Sequence, residues 1–180
     1  MWVQHSTWIV QDDGLELAIG DSWNTRLEVS LEDAEEVSTS TPFGLTLAGE
    51  PLTTEGPVYV GVAKLQEVEP IGKILDTGTL QVAPTAFTPW AVGTTVKFRS
   101  ALYAQPCLFS DPPDPLIRGW AVRQILVRQW NSVPDKDPDS YRIDRSTVRF
   151  RSIERMQKWE DELDPTTGRR VASDYLLKLV

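Results

Sequence analysis

The sequence predicts a mainly β fold: an antiparallel barrel or sandwich-like sheet of about eight or nine strands, with one C-terminal helix over 152–164. Three observations carry this. From Trp23 the alternation is unbroken, with Trp23, Thr25, Leu27, Val29 and Leu31 on one side and Ser22, Asn24, Arg26, Glu28 and Ser30 on the other. A period of two with one apolar and one polar face is the pattern of a half-buried strand. Several more short apolar or alternating stretches follow, separated by Gly- and Pro-containing turns, which favours closed or two-layered β architectures. Seven Trp and a hydrophobic share of 41% supply material for a buried core.

Taken in order, residues 2–10 read as a first strand ending at the turn Asp12-Asp13-Gly14. Leu15 to Ile19 is short and apolar, and Gly20-Asp21 turns into the strand at Trp23. Glu32 to Glu36 reads as a short helical turn or a solvated acidic loop. Residues 37–56, rich in Ser, Thr, Gly and Pro, read as a loop that Phe43 and Leu45 could pin down. Pro57 to Glu69 is a Val-rich strand, with Gly61 as a bulge or a point of close approach. Residues 73–83 are a further strand or a hairpin about Asp76-Thr77-Gly78. Residues 84–93 form a connection containing Pro and Trp90, and alternation returns from Thr94 to Tyr103. Ala18 to Trp23 echoes Ala91 to Val96: either two uses of one turn-to-strand solution or a short duplication.

Pro106, Pro112, Pro113 and Pro115 make 104–118 a linker or a long loop. The chain thus reads as one β-rich domain, with a possible subdivision into 1–103 and 119–180. Gly119 to Trp130 reads as a buried strand, with a helix of period 3.6 as the alternative, and 132–140 reads as a Pro/Asp loop. Residues 141–150 are extended, with Val148 and Phe150 inward and Arg149 and Arg151 outward. The spacing of Ile153, Met156, Trp159 and Leu163, with Ser152 as cap and Pro165 as stop, predicts the helix. Val171 to Val180 closes as a last strand.

The net charge is −8, concentrated in residues 1–100, which carry 5 Lys/Arg against 14 Asp/Glu. Such a chain repels nucleic acid and anionic membranes over most of its surface. Cys107 is alone, so no internal disulfide forms, and a reducing cytosol is the expected compartment. No signal peptide or apolar run of membrane-spanning length is present in the sequence given.

Catalytic chemistry is sparse. His5 is the single histidine and reads as a surface or edge residue. Cys107 lacks an evident base, and no nucleophile elbow or phosphate-binding Gly-rich loop occurs. A carboxylate pair is the one catalytic type the composition supplies, and only separation in space could select it. Asp135-Lys136-Asp137-Pro138-Asp139 opens like a calcium loop. It has Ser140 where the turn needs Gly and Ser146 where a bidentate Glu belongs, so neither a metal nor a cofactor is expected. Arg142, Arg145, Arg149, Arg151, Arg155 and Lys158, with Tyr141 and Trp159, could form a nucleic-acid face. The plainer reading, favoured by the overall charge, is ion pairing to the acidic N-terminal half.

Trp8, Gly14 and the run Leu17-Ala18-Ile19-Gly20-Asp21 resemble the opening of a family of small uncharacterised actinobacterial proteins. That family has Trp, five residues, Gly, then aromatic-Ala-Val-Gly-Asp entering a strand. The resemblance spans residues 8–23. The family has a Cys pair where this chain has Asp12-Asp13, so any role of those cysteines is missing here. No activity is known for the family, so the resemblance implies lineage and no function.

The residues and their spacing point to a non-enzymatic β-rich binding or interaction module. Its partner would be a protein or small ligand, contacted through Trp90, Trp120, Trp130, Tyr141, Arg149 and Arg151. Two alternatives stand beside it: a carboxylate enzyme acting on a small molecule or sugar, and nucleic-acid binding through 142–158.

Overall fold

The computed structural model describes residues 1–6, 15–106, 114–134, 141–156 and 171–180. Among them are thirteen strands and one 3-10 turn, and no α-helix. The chain is mainly β, as its alternation requires. No helix among the described residues is long and apolar enough to cross a membrane. The chain divides into two compact units: residues 1, 3–21 and 121–180, and residues 2 and 22–120.

The first unit is organised on β10 (Arg118–Pro134), joined by β1 (Trp2–Ser6), β11 (Tyr141–Ile143), β12 (Arg149–Ile153) and β13 (Val171–Leu179). The order is β11-β10-β13-β1, with β12 also paired to β10. β13 runs along one edge of β10, from Val122↔Leu179 to Asn131↔Val171. β12 and β11 follow one another along the other edge, at Ile125↔Ile153 to Gln129↔Arg149 and at Ser132↔Ile143 to Pro134↔Tyr141. Between them a 3-10 turn, Arg145–Thr147, is capped by the Asp144 side chain. The turn is anchored to β10, because the Asn131 amide donates to Thr147 Oγ1 at 2.9 Å and the Asp144 amide donates to Asn131 O at 2.9 Å.

The helix expected over 152–164 is not seen. Ser152 and Ile153 end β12, and 157–164 lie outside the described residues. β10 offers these residues a ladder that satisfies their amides and carbonyls, which a helix would have had to satisfy internally. Met156 is fully buried without a helix, its amide donating to Leu17 O at 2.7 Å. His5, expected at a surface or edge, is buried on β1.

The second unit contains β2 (Ser22–Val29), β3 (Ala34–Glu36), β4 (Gly44–Leu47), β5 (Tyr59–Val68), β6 (Gly72–Asp76), β7 (Gln81–Pro84), β8 (Thr95–Ser100) and β9 (Leu102–Pro106). Trp23, Thr25, Leu27 and Val29 are buried, as the alternation demands. β2 with β3 and β8 with β9 form one antiparallel ribbon. From Val29↔Leu102 to Ala34↔Phe98 one side advances five residues and the other four, so a bulge bends it. β5 pairs with β8 along one edge and with β4 and β6 along the other. β6 and β7 form the hairpin about Gly78, and β7 returns to β2. The path of pairings therefore leaves the 95–106 segment at β9 and comes back to it at β8.

Three expectations change here. The sheet is mixed rather than antiparallel, because Glu28↔Ala83 and Val29↔Pro84 pair in parallel. The chain between β2 and β7 is long enough for the crossover this requires. The acidic run at 32–36 contains a strand, β3, and the loop at 37–56 contains another, β4. Both are short and contain no buried residue, and each is held by a neighbour's ladder. Short strands of this kind, and long ones divided at bulges, raise the count above eight or nine.

The echo between 18–23 and 91–96 is a shared turn. The Asp21 amide donates to Ala18 O at 3.1 Å, and the Thr94 amide donates to Ala91 O at 3.2 Å. Gly20 and Gly93 have φ of 98° and 95°, the third position of a type II turn, where a side chain is strained. Ile19 and Val92 precede them and are both exposed.

Tyr59 fixes the N-terminal backbone of the second unit. Its hydroxyl accepts from the Trp2 amide at 2.8 Å and donates to the Trp2 carbonyl at 3.0 Å. Burial pushes the Tyr59 phenol above its ordinary pKa. Replacing Tyr59 with Phe leaves two backbone groups without this partner and is expected to cost about 1–3 kcal/mol, read as a lowered urea midpoint with an unchanged slope. An unmoved midpoint would mean that water replaces the hydroxyl fully.

Candidate functional site

A polar cleft of about 390 Å³ lies in the second unit. Its walls come from β2 (Arg26, Glu28), the β5–β6 hairpin (Glu67, Ile71, Gly72, Lys73), the end of β7 (Ala83, Pro84) and the strap after it (Ala86, Phe87, Thr88). Ile74, Ala83 and Leu116 pack beneath as a small apolar cluster, with Val68 and Ile71 against it.

Arg26 is the electrostatic centre. Its Nη1 donates to Asp114 Oδ2 at 2.8 Å and its Nη2 to Glu28 Oε1 at 2.5 Å. Both carboxylates are buried, while Arg26 is partly open. Burial by itself lowers the guanidinium pKa, but the two carboxylates outweigh it and hold Arg26 above its ordinary value. The alternation placed Arg26 and Glu28 on the wet side of β2. That side is wet at Ser22 and Asn24 and closes over by Glu28, where Asp114 arrives from a distant part of the chain.

The strap is held at both ends. The Thr85 amide donates to Val29 O at 2.9 Å. Lys73 Nζ donates to Thr88 O at 3.3 Å and to Trp90 O at 2.6 Å. Between these anchors Phe87 is 91% exposed, with Lys73 Nζ 5.5 Å from its ring centroid. Phe87 is therefore held outward by tethered backbone on either side. A buried Phe would contribute about 1.5–3 kcal/mol that this conformation forgoes.

No family model, curated protein or solved structure matches this chain. The chemistry of the site must therefore be read from its own residues.

The sequence-derived site residues fall in both units. Trp90 and Trp120 belong to the second unit, and Trp130, Tyr141, Arg149 and Arg151 to the first. Trp90 adjoins the cleft through its carbonyl on Lys73. Trp120 is half-buried, and its Nε1 is enclosed without a hydrogen-bond acceptor. Trp130 is half-buried beneath the Arg128 guanidinium, 5.2 Å from its ring. Arg149 and Arg151 stand exposed on β12, and Tyr141 lies on β11. The calcium-like run 135–139, Cys107, Lys158 and Trp159 lie outside the described residues. Among the described residues no group of three or more His, Cys, Asp or Glu could hold a metal ion.

Glu28 and Asp114 are both ion-paired to the guanidinium of Arg26. Sequence reasoning passed over Lys73, Phe87 and Asp114. An apolar residue between Pro84 and Pro89 was a usable signal for Phe87. Nothing in the sequence marks Asp114, which meets Arg26 across 88 positions.

Proposed function

We propose that this chain is a non-enzymatic binding module, built on a barrel-like second unit, whose ligand-contacting surface is the cleft between Arg26 and Phe87. The observation that carries the reading is Phe87, 91% exposed on a strap tied down on both sides. A rigid exposed aromatic beside a polar cleft is the usual form of a binding anchor. Arg26 is already matched by Glu28 and Asp114, and Lys73 is engaged by two carbonyls. The lining sets Glu28 and Glu67 against Arg26 and Lys73, a formal balance, and Asp114 paired to Arg26 brings the cluster to one excess negative charge. The fitting ligand presents an apolar group to Phe87 and a cationic group to the carboxylates, as a basic side chain of a partner protein does.

The test is a titration of short peptides pairing Lys or Arg with an aromatic residue, followed by amide shifts of the labelled protein. Shifts confined to 71–73 and 83–90 are expected. Phe87→Ser is expected to weaken binding by about thirtyfold, the loss typical of a hot-spot side chain. Its melting temperature should stay within about 1 °C, since so little of the ring is buried. Shifts scattered away from the cleft, or equal binding by Phe87→Ser, would remove the proposal.

A further inference from the structure

We infer that Arg142, Arg149 and Arg151 form a docking row for the phosphate backbone of a single-stranded nucleic acid, on the exposed edge of the first unit. The register of β10 carries this. Arg142 pairs with Val133, Arg149 with Gln129 and Arg151 with Val127. All three partners are odd-numbered positions of one continuous strand, so the three arginines share a face of the sheet. The 3-10 turn at Arg145–Thr147 inserts three residues between β11 and β12 without breaking this parity, because Asn131 holds the turn at both its amide and its carbonyl. Along the edge, Arg149 and Arg151 are about 7 Å apart and Arg142 stands about 13 Å from Arg149, at roughly 3.4 Å per residue. The shorter step suits adjacent phosphates of an extended strand and the longer one suits every second phosphate.

Composition and exposure agree. Residues 141–156 contain five Arg and no Lys, against Asp144 and Glu154 alone, in a chain of net charge −8. Arg142, Arg145, Arg149, Arg151 and Arg155 are all exposed. Among the described residues, Arg142 and Arg155 have no acidic side chain at ion-pair distance, and Arg149 is steadied by Gln129 Oε1, 3.5 Å from its Nε. Arg142 and Arg145 also line an open cavity of about 780 Å³ with Ile143, Asp144 and Ser146. Guanidinium forks bind phosphate in pairs of parallel hydrogen bonds, which ammonium groups cannot do, so an all-arginine row favours phosphate over a generic polyanion. Contacts from these guanidinium groups to phosphates carry no nucleotide sequence information, so binding is expected to be independent of sequence.

The test is fluorescence anisotropy of a labelled twenty-residue oligo-dT against the full chain, from 50 to 200 mM KCl, with poly-L-glutamate as competitor. Binding at micromolar concentration in 50 mM KCl is expected. The slope of log K against log salt should be about −2 for three neutralised phosphates. The triple variant R142A/R149A/R151A should lose at least about thirtyfold in affinity and most of the slope, with circular dichroism unchanged. Each single alanine variant should reduce the slope by about 0.7, which covers the case of a triple variant that does not fold. Arg→Lys at all three positions should keep the slope and weaken binding several-fold. The inference is overturned by no binding in 50 mM KCl, or by a slope unaltered in the single variants. It is equally overturned if poly-L-glutamate displaces the oligonucleotide at equal charge, which assigns the row to an acidic protein.

Discussion

Gly61→Ala is expected to lower the melting temperature by about 5 °C or more, and Gly61→Val to abolish the folded second unit. Gly61 lies opposite Phe98 on the β5–β8 ladder. A Cβ on Gly61 would stand 2.2 Å from Phe98 Cζ and 2.5 Å from Cε1. Real carbon atoms do not approach so closely, so either the ring or the backbone must move. The ring has little freedom to move, because Phe98 is 1% exposed and its neighbours on the buried face, Ala63 and Val96, are fully buried. Overpacking of this kind costs about 1–3 kcal/mol, and each kcal/mol moves the melting point of a chain this size by about 2–4 °C. The decisive measurement is a double-mutant cycle with Phe98→Leu. If ring contact is the cause, the smaller side chain relieves part of the penalty, with a coupling of about 1 kcal/mol or more. Additive effects would show that Gly61 serves some other need.

Asp174→Asn is expected to destabilise the first unit by about 3 kcal/mol, because it sets an amide N–H against an Arg128 nitrogen where a carboxyl oxygen accepts. Arg128 Nε donates to Asp174 Oδ1 at 3.0 Å and Nη2 to Oδ2 at 2.5 Å, a two-point contact between directly paired positions of β10 and β13. Arg128 is 5% exposed and also covers the Trp130 ring. With Asn in place of Asp, one buried guanidinium N–H faces another donor and loses its acceptor. Replacing both, as Arg128→Met with Asp174→Leu, should return stability to within about 1 kcal/mol of the parent. The pH dependence has an unusual sign. Burial raises the Asp174 carboxyl above its ordinary value, and the Arg128 hydrogen bonds and charge only partly oppose this. The folded protein therefore holds this proton more tightly than the unfolded chain does. Its contribution is full below about pH 3.8 and is lost as pH rises through the folded value. The Asp174→Asn penalty should thus grow on acidification from pH 7. Urea midpoints of both proteins at several pH values decide it: a penalty that shrinks on acidification would place the folded pKa below the ordinary one.

Where residues supply their own pattern, the sequence was a sufficient guide. β2 shows this as a side-chain pattern repeating every second position, while the hairpin about Gly78, the strand from Gly119 and the closing strand at Val171 are marked by a glycine turn and by apolar runs. Even the echo at 18–21 and 91–94 was legible, because only glycine takes the left-handed corner that both turns contain. The 152–164 segment misled because Ile153 and Met156 satisfy a helical spacing while Arg149 and Arg151 satisfy an extended one. Local spacing cannot choose between two ways of satisfying the same backbone, and β10 made the choice. β3 and β4 escaped notice for the related reason that their order is lent by β8 and β5.

The sites divide along the same line. By itself the sequence determined that extended, two-faced segments would build this molecule, since side-chain periodicity is a property of consecutive residues. Only the tertiary structure decided that Asp114 meets Arg26, that Phe87 is held outward on a tethered strap, and that Arg142, Arg149 and Arg151 share one face. Those facts depend on which strand lies beside which and in what register, and register is set by the neighbour, not by the strand alone.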